Sequence, residues 1–437
     1  MTYEQAIQYL YTQLPMYSKI GQAAYKADLK NIIALCSSLG NPQKSFKSIH
    51  IAGTNGKGSC SHMLAAILQQ SGLKTGLYTS PHVKAFGERI RINGKMIDQN
   101  FVVEFTEKTK LLCKDIQPSF FELTVAMAFD FFAKEKIDIA IIETGLGGRL
   151  DSTNIIWPIL SIITNIGYDH MNILGDTLSQ IAFEKAGIIK SNIPVVIGAT
   201  NNETQSVFLR KAHNESAPIY FSEEIYTCTD ARMINHQLHC NIIENDSGKN
   251  MIYQLDLSGL YQSKNLCTVL TAIKVLDKIG FSIENNHVQS ALQQVKKITG
   301  LKGRWEIVSK NPLIVYDVAH NKDGIQEVLN QIKHFHSEAL LHFILGFVND
   351  KDISGILDML PKHASYYFTN AHIPRALAHD ELKKRAAEKK IIGESYDDVN
   401  DAIIAAKSIA KDTDLIIVCG SFFLIGEVDS SNFDQVD

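Results

Sequence analysis

The heptapeptide Gly53-Thr54-Asn55-Gly56-Lys57-Gly58-Ser59 constrains this chain more than any other stretch, because a strand-like run ends there and a helix-like run begins. Upstream, Ser48-Ile49-His50-Ile51-Ala52 reads as a short buried strand. Downstream, Cys60 to Gln70 places Met63, Leu64, Ile67 and Leu68 at helical spacing. A glycine-rich turn at such a junction directs backbone N–H groups and a helix N-terminus toward one point and adds a lysine ammonium and a hydroxyl. Together these form a phosphate cradle. The spacing departs from the ordinary G-x-x-x-x-G-K-[ST] loop, since Gly58 separates Lys57 from Ser59. A glycine-rich turn that binds nothing is the competing reading, and the remaining segments decide between the two.

Short β-branched runs alternate with helical periods along the chain, which predicts parallel βαβ architecture with strands buried on both faces. Strands are expected at 48–52, 75–79, 137–143, 159–166 and 193–199, with helices between them. The stretch 225–257 breaks the alternation and carries Asn-Asp-Ser-Gly turn chemistry at 245–248, so antiparallel strands on a sheet edge are expected there. Helical periodicity resumes at 262–279 and 284–297. The run Lys296-Lys297-Ile298-Thr299-Gly300-Leu301-Lys302-Gly303 offers charge and glycine without a core pattern, and a domain boundary is placed there. Beyond it, strands at 313–317, 340–346, 365–369 and 415–419 alternate with helices at 322–335, 353–360, 379–390 and 397–411. The expected architecture is α/β: residues 1–297 as a mostly parallel nucleotide-binding sheet with helices on both faces and an antiparallel edge, and residues 298–437 as a smaller, Rossmann-like α/β domain.

Composition narrows the function classes. A chain of 437 residues with 45% hydrophobic and 21% charged residues suits two or three globular domains. The net charge of −4 and the absence of a dense Lys/Arg block argue against a nucleic-acid footprint. An anionic partner is therefore expected to be small. The cysteines Cys36, Cys60, Cys113, Cys228, Cys240, Cys267 and Cys419 are scattered and never spaced as C-x-x-C, so neither a disulfide framework nor a zinc site is indicated. Met1-Thr2-Tyr3-Glu4-Gln5 lacks the pattern of a signal peptide, and the run Leu415 to Gly426 is too short to span a bilayer. A monomer in a reducing cytoplasm, with no membrane partner, is expected.

Ligands of an open parallel sheet bind at the carboxyl ends of its strands, so the residues leaving each strand matter most. Strand 75–79 runs into Ser80-Pro81-His82. Strand 137–143 delivers Glu143, followed by Thr144-Gly145-Leu146-Gly147-Gly148-Arg149-Leu150-Asp151. Strand 159–166 delivers Gly167-Tyr168-Asp169-His170. These exits place a hydroxyl, a carboxylate and an imidazole beside bound phosphates, which suits magnesium held by few protein groups, water and phosphate oxygens. Taken singly, Glu143 paired with Arg149 and His170 as a packing histidine are equally open readings.

The loop Gly53–Ser59, the runs Thr79-Ser80-Pro81-His82 and Phe86-Gly87-Glu88-Arg89-Ile90, and Gly145-Leu146-Gly147-Gly148-Arg149-Leu150-Asp151-Ser152-Thr153-Asn154 resemble the folylpolyglutamate synthase/dihydrofolate synthase family, the folate branch of the Mur ligase superfamily. Asp169-His170, Glu184-Lys185-Ala186-Gly187-Ile188, Gly303-Arg304-Trp305-Glu306, Asp317-Val318-Ala319-His320-Asn321 and Gly420-Ser421-Phe422-Phe423-Leu424-Ile425-Gly426-Glu427-Val428 match in the same order. They span nearly the whole chain.

The resemblance implies an ATP-dependent amide ligase. The γ-phosphate passes to a carboxylate of dihydropteroate or a folate, and L-glutamate attacks the acyl phosphate. Gly53, Thr54, Asn55, Gly56, Lys57, Gly58 and Ser59 are implied to cradle ATP, with Asn265 at the adenine and Arg304, Asp317 and His320 completing the site from the second domain across a closing cleft. Lys57, His170 and Lys185 are the implied catalytic residues. Ser80 and Glu143 are implied to hold one Mg2+ and His170 a second. Lys185 is implied to be carbamylated, which converts +1 to −1; an ordinary helical surface lysine is the alternative on the residues alone. Ser80, His82, Phe121, Asp151 and Ser152 are the substrate-side residues, with Phe121 stacking on a pterin and Asp151 accepting from its N–H groups. Position 152 is usually alanine in this motif, which weakens the dihydropteroate pocket, and Phe121 as plain core is the competing reading. A monofunctional folylpolyglutamate synthase is the alternative activity. A cell-wall ligase is disfavoured by the Ser-Pro-His and Gly-Leu-Gly-Gly-Arg-Leu-Asp runs. A GTPase lacks its Asn-Lys-x-Asp element, since Asn321-Lys322-Asp323-Gly324 has no acid at the fourth place.

Overall fold

The structure, a computed structural model, describes residues 1–16, 21 and 26–429. The chain divides into two compact units, Met1–Asp256 with Gln262–Leu301, and Leu257–Tyr261 with Lys302–Asp437. The change of unit falls slightly beyond the expected boundary. Thr299, buried at the end of the helix Val295–Thr299, hydrogen bonds through its Oγ1 to His62 Nδ1 at 2.7 Å and ties that segment to the first unit. The segment Leu257–Tyr261 joins the second unit because Gln331 donates to the Ser258 carbonyl (3.1 Å) and accepts from the Leu260 N–H.

The first unit is built on strands β1 (Lys47–Ala52), β2 (Thr75–Tyr78), β3 (Ile90–Ile92), β4 (Lys95–Met96), β5 (Ile139–Glu143), β6 (Leu160–Ile163), β7 (Val195–Ile197) and β8 (Ile219–Phe221). Their order across the sheet is β4-β3-β2-β5-β1-β6-β7-β8. All pairings are parallel except β2–β3 and β3–β4, so the sheet does have an antiparallel edge. That edge is not 225–257, where it was expected. Those residues form β9 (Tyr226–Ile234), β10 (Gln237–Glu244) and β11 (Asn250–Leu255), a separate three-stranded antiparallel sheet. The alternating buried and half-buried pattern of β10 shows why: one face has a core of its own to cover.

One face of the large sheet is covered by the helices Tyr3–Gln13, Lys30–Ser38, Gln99–Ile116 and Phe120–Lys134, with Tyr78, Phe105, Phe129 and Phe132 at the centre of the core. The helix Lys57–Gln70 has no exposed side from Gly58 to Leu68. It packs against β1, β2 and β5 and also against the helices Gln262–Lys278, Asn285–Leu292 and Val295–Thr299. A helix enclosed on all sides cannot show an amphipathic stripe, which is why its start is marked by the glycine loop rather than by periodicity. The sheet's strands end on one edge, since Ile51 pairs with Glu143 and Ala52 with Ile163.

In the second unit β12 (Glu306–Lys310), β13 (Leu313–Asp317), β14 (Leu341–Leu345), β15 (Ser365–Phe368), β16 (Gly393–Ser395) and β17 (Leu415–Cys419) order as β12-β13-β17-β14-β15-β16. Only the β12–β13 pairing is antiparallel. The strands β12 and β16 lie at the two edges and lack the continuous apolar run of a central strand, so the sequence reading passed over them. Trp305, fully buried, anchors the core of this unit. Among the described residues no helix is long and apolar enough to cross a membrane.

Candidate active site

The glycine loop turns at the carboxyl end of β1. Gly56 caps the helix Lys57–Gln70 in the left-handed region (φ 81°), and a Cβ there would lie 2.4 Å from Asn265 Oδ1. Gly53 has φ 151°, and a Cβ would fall 1.9 Å from Thr164 Oγ1. The residues leaving β6 clamp the loop from one side. Thr164 Oγ1 donates to the Asn55 carbonyl (2.6 Å), Asn55 N–H donates to Asn165 Oδ1 (2.8 Å), and Thr54 Oγ1 exchanges hydrogen bonds with Gly167. The first intrahelical bond runs from Cys60 N–H to the Gly56 carbonyl at 2.9 Å, so the helix itself supplies no acceptor to the Gly58 and Ser59 N–H groups. Anion-seeking donors therefore sit at the mouth of a buried helix.

Gly58 has a geometric consequence. The Ser59 hydroxyl is 1% exposed and accepts from Gln262 Nε2 (3.1 Å), while Gln262 Oε1 accepts from Asn265 Nδ2 (2.8 Å). Ser59 can serve an anion through its backbone, but its side chain is turned into the helix packing. An Ala substitution at Gly53 is expected to cost about 2–4 kcal/mol of unfolding free energy, because its Cβ would drive Thr164 away from the Asn55 carbonyl. A chemical-denaturation midpoint equal to wild type would contradict the clash.

Two lysines converge on one carbonyl. Lys57 Nζ donates to the Gly53 and Thr54 carbonyls (3.0 and 3.1 Å), and Lys185 Nζ donates to the Gly53 carbonyl at 2.8 Å. Lys185 ends the helix Leu178–Ala186 and is 4% exposed. Burial lowers its pKa to about 7; the Lys57 ammonium adds to that shift, and Asp169 and Asp151 oppose it. The surface-lysine reading is thereby removed: this side chain is interior and borders the loop.

Glu143, the last residue of β5, is 4% exposed and its carboxylate accepts from the Ser80 N–H at 3.3 Å. Arg149 makes a two-pronged pair with Glu184 (2.8 and 3.2 Å). His170 adopts a left-handed conformation (φ 50°) beside Asp169, with 3.9 Å between its Nε2 and the Asp169 carboxylate. His82 accepts at Nδ1 from Arg89 Nε (2.7 Å) and meets the Tyr11 hydroxyl at Nε2 (3.2 Å). Burial and the Arg89 charge lower its pKa to about 3, so it is a neutral imidazole. Oxygen-rich donors at Ser80 and Glu143 fit a hard cation. No three His, Cys, Asp or Glu side chains among the described residues are grouped as a metal cage, so further ligands would have to come from phosphate and water.

Asp151 is 3% exposed and caps the short turn Ser152–Ile155. One carboxylate oxygen accepts from the Leu146 N–H (2.8 Å) and the other from the Thr153 N–H (3.0 Å) and hydroxyl (2.5 Å). Burial raises its pKa against these donors. Ser152 is half-buried at the start of that turn. Phe121 lies against the backbone of Gly145, where a Cβ would come within 2.5 Å of its ring, and 6.1 Å from the Tyr78 ring. It is half-buried and packs against the core cluster that contains Tyr78, so part of its ring is core and part is left for other contacts.

In the second unit, Asp317 ends β13 and accepts from the Tyr261 hydroxyl (2.7 Å), Trp305 N–H (2.9 Å) and Ala319 N–H (2.9 Å). Arg304 stacks its guanidinium over Phe422 at 5.0 Å, and the His320 ring lies 5.9 Å from the same phenyl group. Arg304, Asp317 and His320 thus gather at one end of this sheet. Sequence reading missed Thr164, Asn165 and Gln262, which clamp the loop, and Arg89 with Tyr11, which fix His82. Gln262 carried one usable signal, its i,i+3 spacing to Asn265 on one helix face.

The description "Mur ligase middle domain" fits residues 51–273, and "Mur ligase, glutamate ligase domain" fits residues 303–422. A dihydrofolate synthase/folylpolyglutamate synthase of Bacillus subtilis is 32% identical over 421 residues, covering 92% of this chain and 94% of that protein. Among solved structures, Mycobacterium tuberculosis folylpolyglutamate synthase complexed with ADP has a TM-score of 0.85 at 28% identity, covering 97% of this chain and 96% of that one. Escherichia coli FolC in complex with DHPP and ADP has a TM-score of 0.82 at 27% identity, covering 98% and 96%. Glycine loop, strand-end residues and full-length likeness agree, and the chain belongs to the folylpolyglutamate synthase/dihydrofolate synthase family of Mur ligases, whose members form carbon–nitrogen bonds.

Proposed function

We infer that this chain joins L-glutamate to dihydropteroate and to folate polyglutamates at the expense of ATP. The observation that carries the reading is the convergence of Lys57 and Lys185 on the Gly53 carbonyl at the mouth of the helix Lys57–Gln70. Phosphoryl transfer depends chiefly on positioning and on neutralising charge around the β- and γ-oxygens, and this arrangement supplies both. The acceptor carboxylate attacks the γ-phosphorus and ADP leaves. The glutamate amine then attacks the acyl carbon, the C–O bond to the phosphoryl group breaks, phosphate leaves with that oxygen, and the amine nitrogen gives up a proton as the amide forms.

The role of each residue follows its surroundings. The loop N–H groups and Lys57 receive the ATP phosphates. Phe121 and Asp151 receive the pterin, Phe121 by the uncovered part of its half-buried ring and Asp151 by the carboxylate that Gly145, Leu146 and Thr153 hold in place. His82, neutral and fixed by Arg89, lines the acceptor side as a hydrogen-bonding group rather than a charge. Ser80, Glu143 and His170 would hold Mg2+, which would supply charge neutralisation at the transferred phosphoryl group. Lys185 is the carbamylation site: with a pKa of about 7 its amine is substantially neutral at physiological pH, as attack on CO2 requires. The carbamate nitrogen keeps one N–H for the Gly53 carbonyl. The chain works as a monomer in the cytoplasm in this reading.

A coupled assay of ADP release tests it. Release is expected only when a pteroate or folate and L-glutamate are both present, and dihydropteroate and tetrahydrofolate should each serve as acceptor. Turnover with tetrahydrofolate alone would leave a monofunctional folylpolyglutamate synthase. ADP release with neither acceptor would sink the ligase reading.

A further inference from the structure

His50 sits in the middle of β1, fully buried, paired in register with Ile142 on one side and Ser161 on the other. A histidine is a poor filler for that position. Its Nδ1 is buried without a hydrogen-bond partner, which leaves a desolvated acceptor uncompensated. Its Nε2 makes one contact, to the Thr153 hydroxyl at 2.8 Å. The Thr153 hydroxyl has a single proton, and it points to Asp151 at 2.5 Å. With Asp151 ionised, the His50 contact can be satisfied only by an Nε2–H that donates to Thr153, which fixes the tautomer and leaves Nδ1 as the orphan. Burial keeps the ring neutral, with a pKa lowered to about 3, so the donor persists across the whole physiological range.

We propose that His50 is a positioning residue for the acceptor substrate: the chain His50 Nε2–H to Thr153 to Asp151 locks the Thr153 hydroxyl onto Asp151 and so holds the plane of the carboxylate that is offered to the ligand. The inference rests on the reading of Asp151 as an acceptor-side contact. A rotating hydroxyl would share its proton between Asp151 and its own neighbours. A hydroxyl that already accepts from His50 has one orientation left. His50 itself touches no substrate.

The test uses steady-state kinetics on the full chain with dihydropteroate, ATP and L-glutamate varied in turn. His50→Gln places an amide N–H where Nε2–H was, while His50→Met fills the space without a donor, and Thr153→Val removes the hydroxyl at nearly constant shape. Expected is a roughly five- to tenfold rise in KM for dihydropteroate in His50→Met and Thr153→Val, with KM for ATP and for L-glutamate unchanged. His50→Gln should lie within about twofold of wild type, and His50→Met combined with Thr153→Val should be no worse than Thr153→Val alone. Thr153→Val should also move the acid limb of kcat/KM for dihydropteroate to higher pH, because the carboxylate loses a donor that favours its ionised form. A purely structural role would not produce that shift. Equal losses in His50→Gln and His50→Met, or a parallel rise in all three KM values, would overturn the proposal. Asp151→Asn separates the two levels. If it leaves the dihydropteroate KM unchanged, the assignment of Asp151 fails. If it raises that KM while the His50 and Thr153 variants do not, the positioning chain fails.

Discussion

Replacement of Lys57 by methionine is expected to lower kcat/KM for ATP in the complete ligation reaction by about 10^3-fold, the range for removing one preorganised charge from a phosphoryl-transfer site. The lysine is the first residue of its helix, and its ammonium is held by the Gly53 and Thr54 carbonyls at 3.0 and 3.1 Å. These contacts hold the cation at the loop with its chain already ordered, so little freedom is lost when phosphate arrives. Methionine keeps the length and helix propensity of the side chain and removes only the charge. Because Lys57 is half-buried and borders the lysine at 185, unfolding free energy should change little or rise slightly. The two readouts separate a phosphate-binding lysine from a structural one. A rate loss below about tenfold, or a rate loss that tracks a fall in the unfolding midpoint, would remove Lys57 from the phosphate site.

The glycine loop was legible because its chemistry is local. A strand, a turn that needs left-handed residues and a helix start are written in consecutive residues, and Gly53 and Gly56 both occupy conformations or spaces closed to a side chain. Strand ends were legible for a related reason, since a parallel sheet aligns its carboxyl edges and Glu143, Ser80 and His170 each follow a buried run. What escaped the sequence is what depends on long-range packing. Thr164 and Gln262 reach the loop from 109 and 203 residues away, and no spacing rule announces such contacts. The antiparallel edge was misplaced because alternation in 225–257 reports a half-buried sheet but not which sheet it joins. Asp151 carries two roles that a sequence cannot weigh against each other. Its oxygens accept from Leu146 and Thr153, so the capping role is visible in the structure, and a ligand contact would have to be made by a carboxylate already held in place.

Lys185 gives the second large effect and the sharpest sign. Replacement by alanine is expected to reduce turnover by about 10^2- to 10^3-fold, with part of the loss restored by acetate or propionate occupying the space that a carbamate on Lys185 would fill. In wild type, removal of CO2 from the buffer should lower activity, and bicarbonate should return it. Stability moves the other way. The folded-state pKa of about 7 lies below the ordinary lysine value of 10.5, so between those values the unfolded chain binds more protons than the folded one. In CO2-free buffer this lysine therefore makes unfolding free energy rise with pH from about 7 toward 10.5. Below about 7 its full burial cost is present. Lys185→Met should abolish that slope and be more stable than wild type on the acid side, while being catalytically poor. A group retained at a cost to stability, yet needed for turnover, is what a buried amine waiting for CO2 predicts. If Lys185→Met were neutral to turnover, the lysine would have no part in the reaction; if the variant lost activity but no carboxylic acid rescued Lys185→Ala and mass analysis found no added CO2, the lysine would be a phosphate-side cation like Lys57. Two adjacent ammoniums on one carbonyl would then have to be balanced by the nucleotide itself, and wild-type stability near neutral pH should rise markedly on adding ATP with no response to bicarbonate.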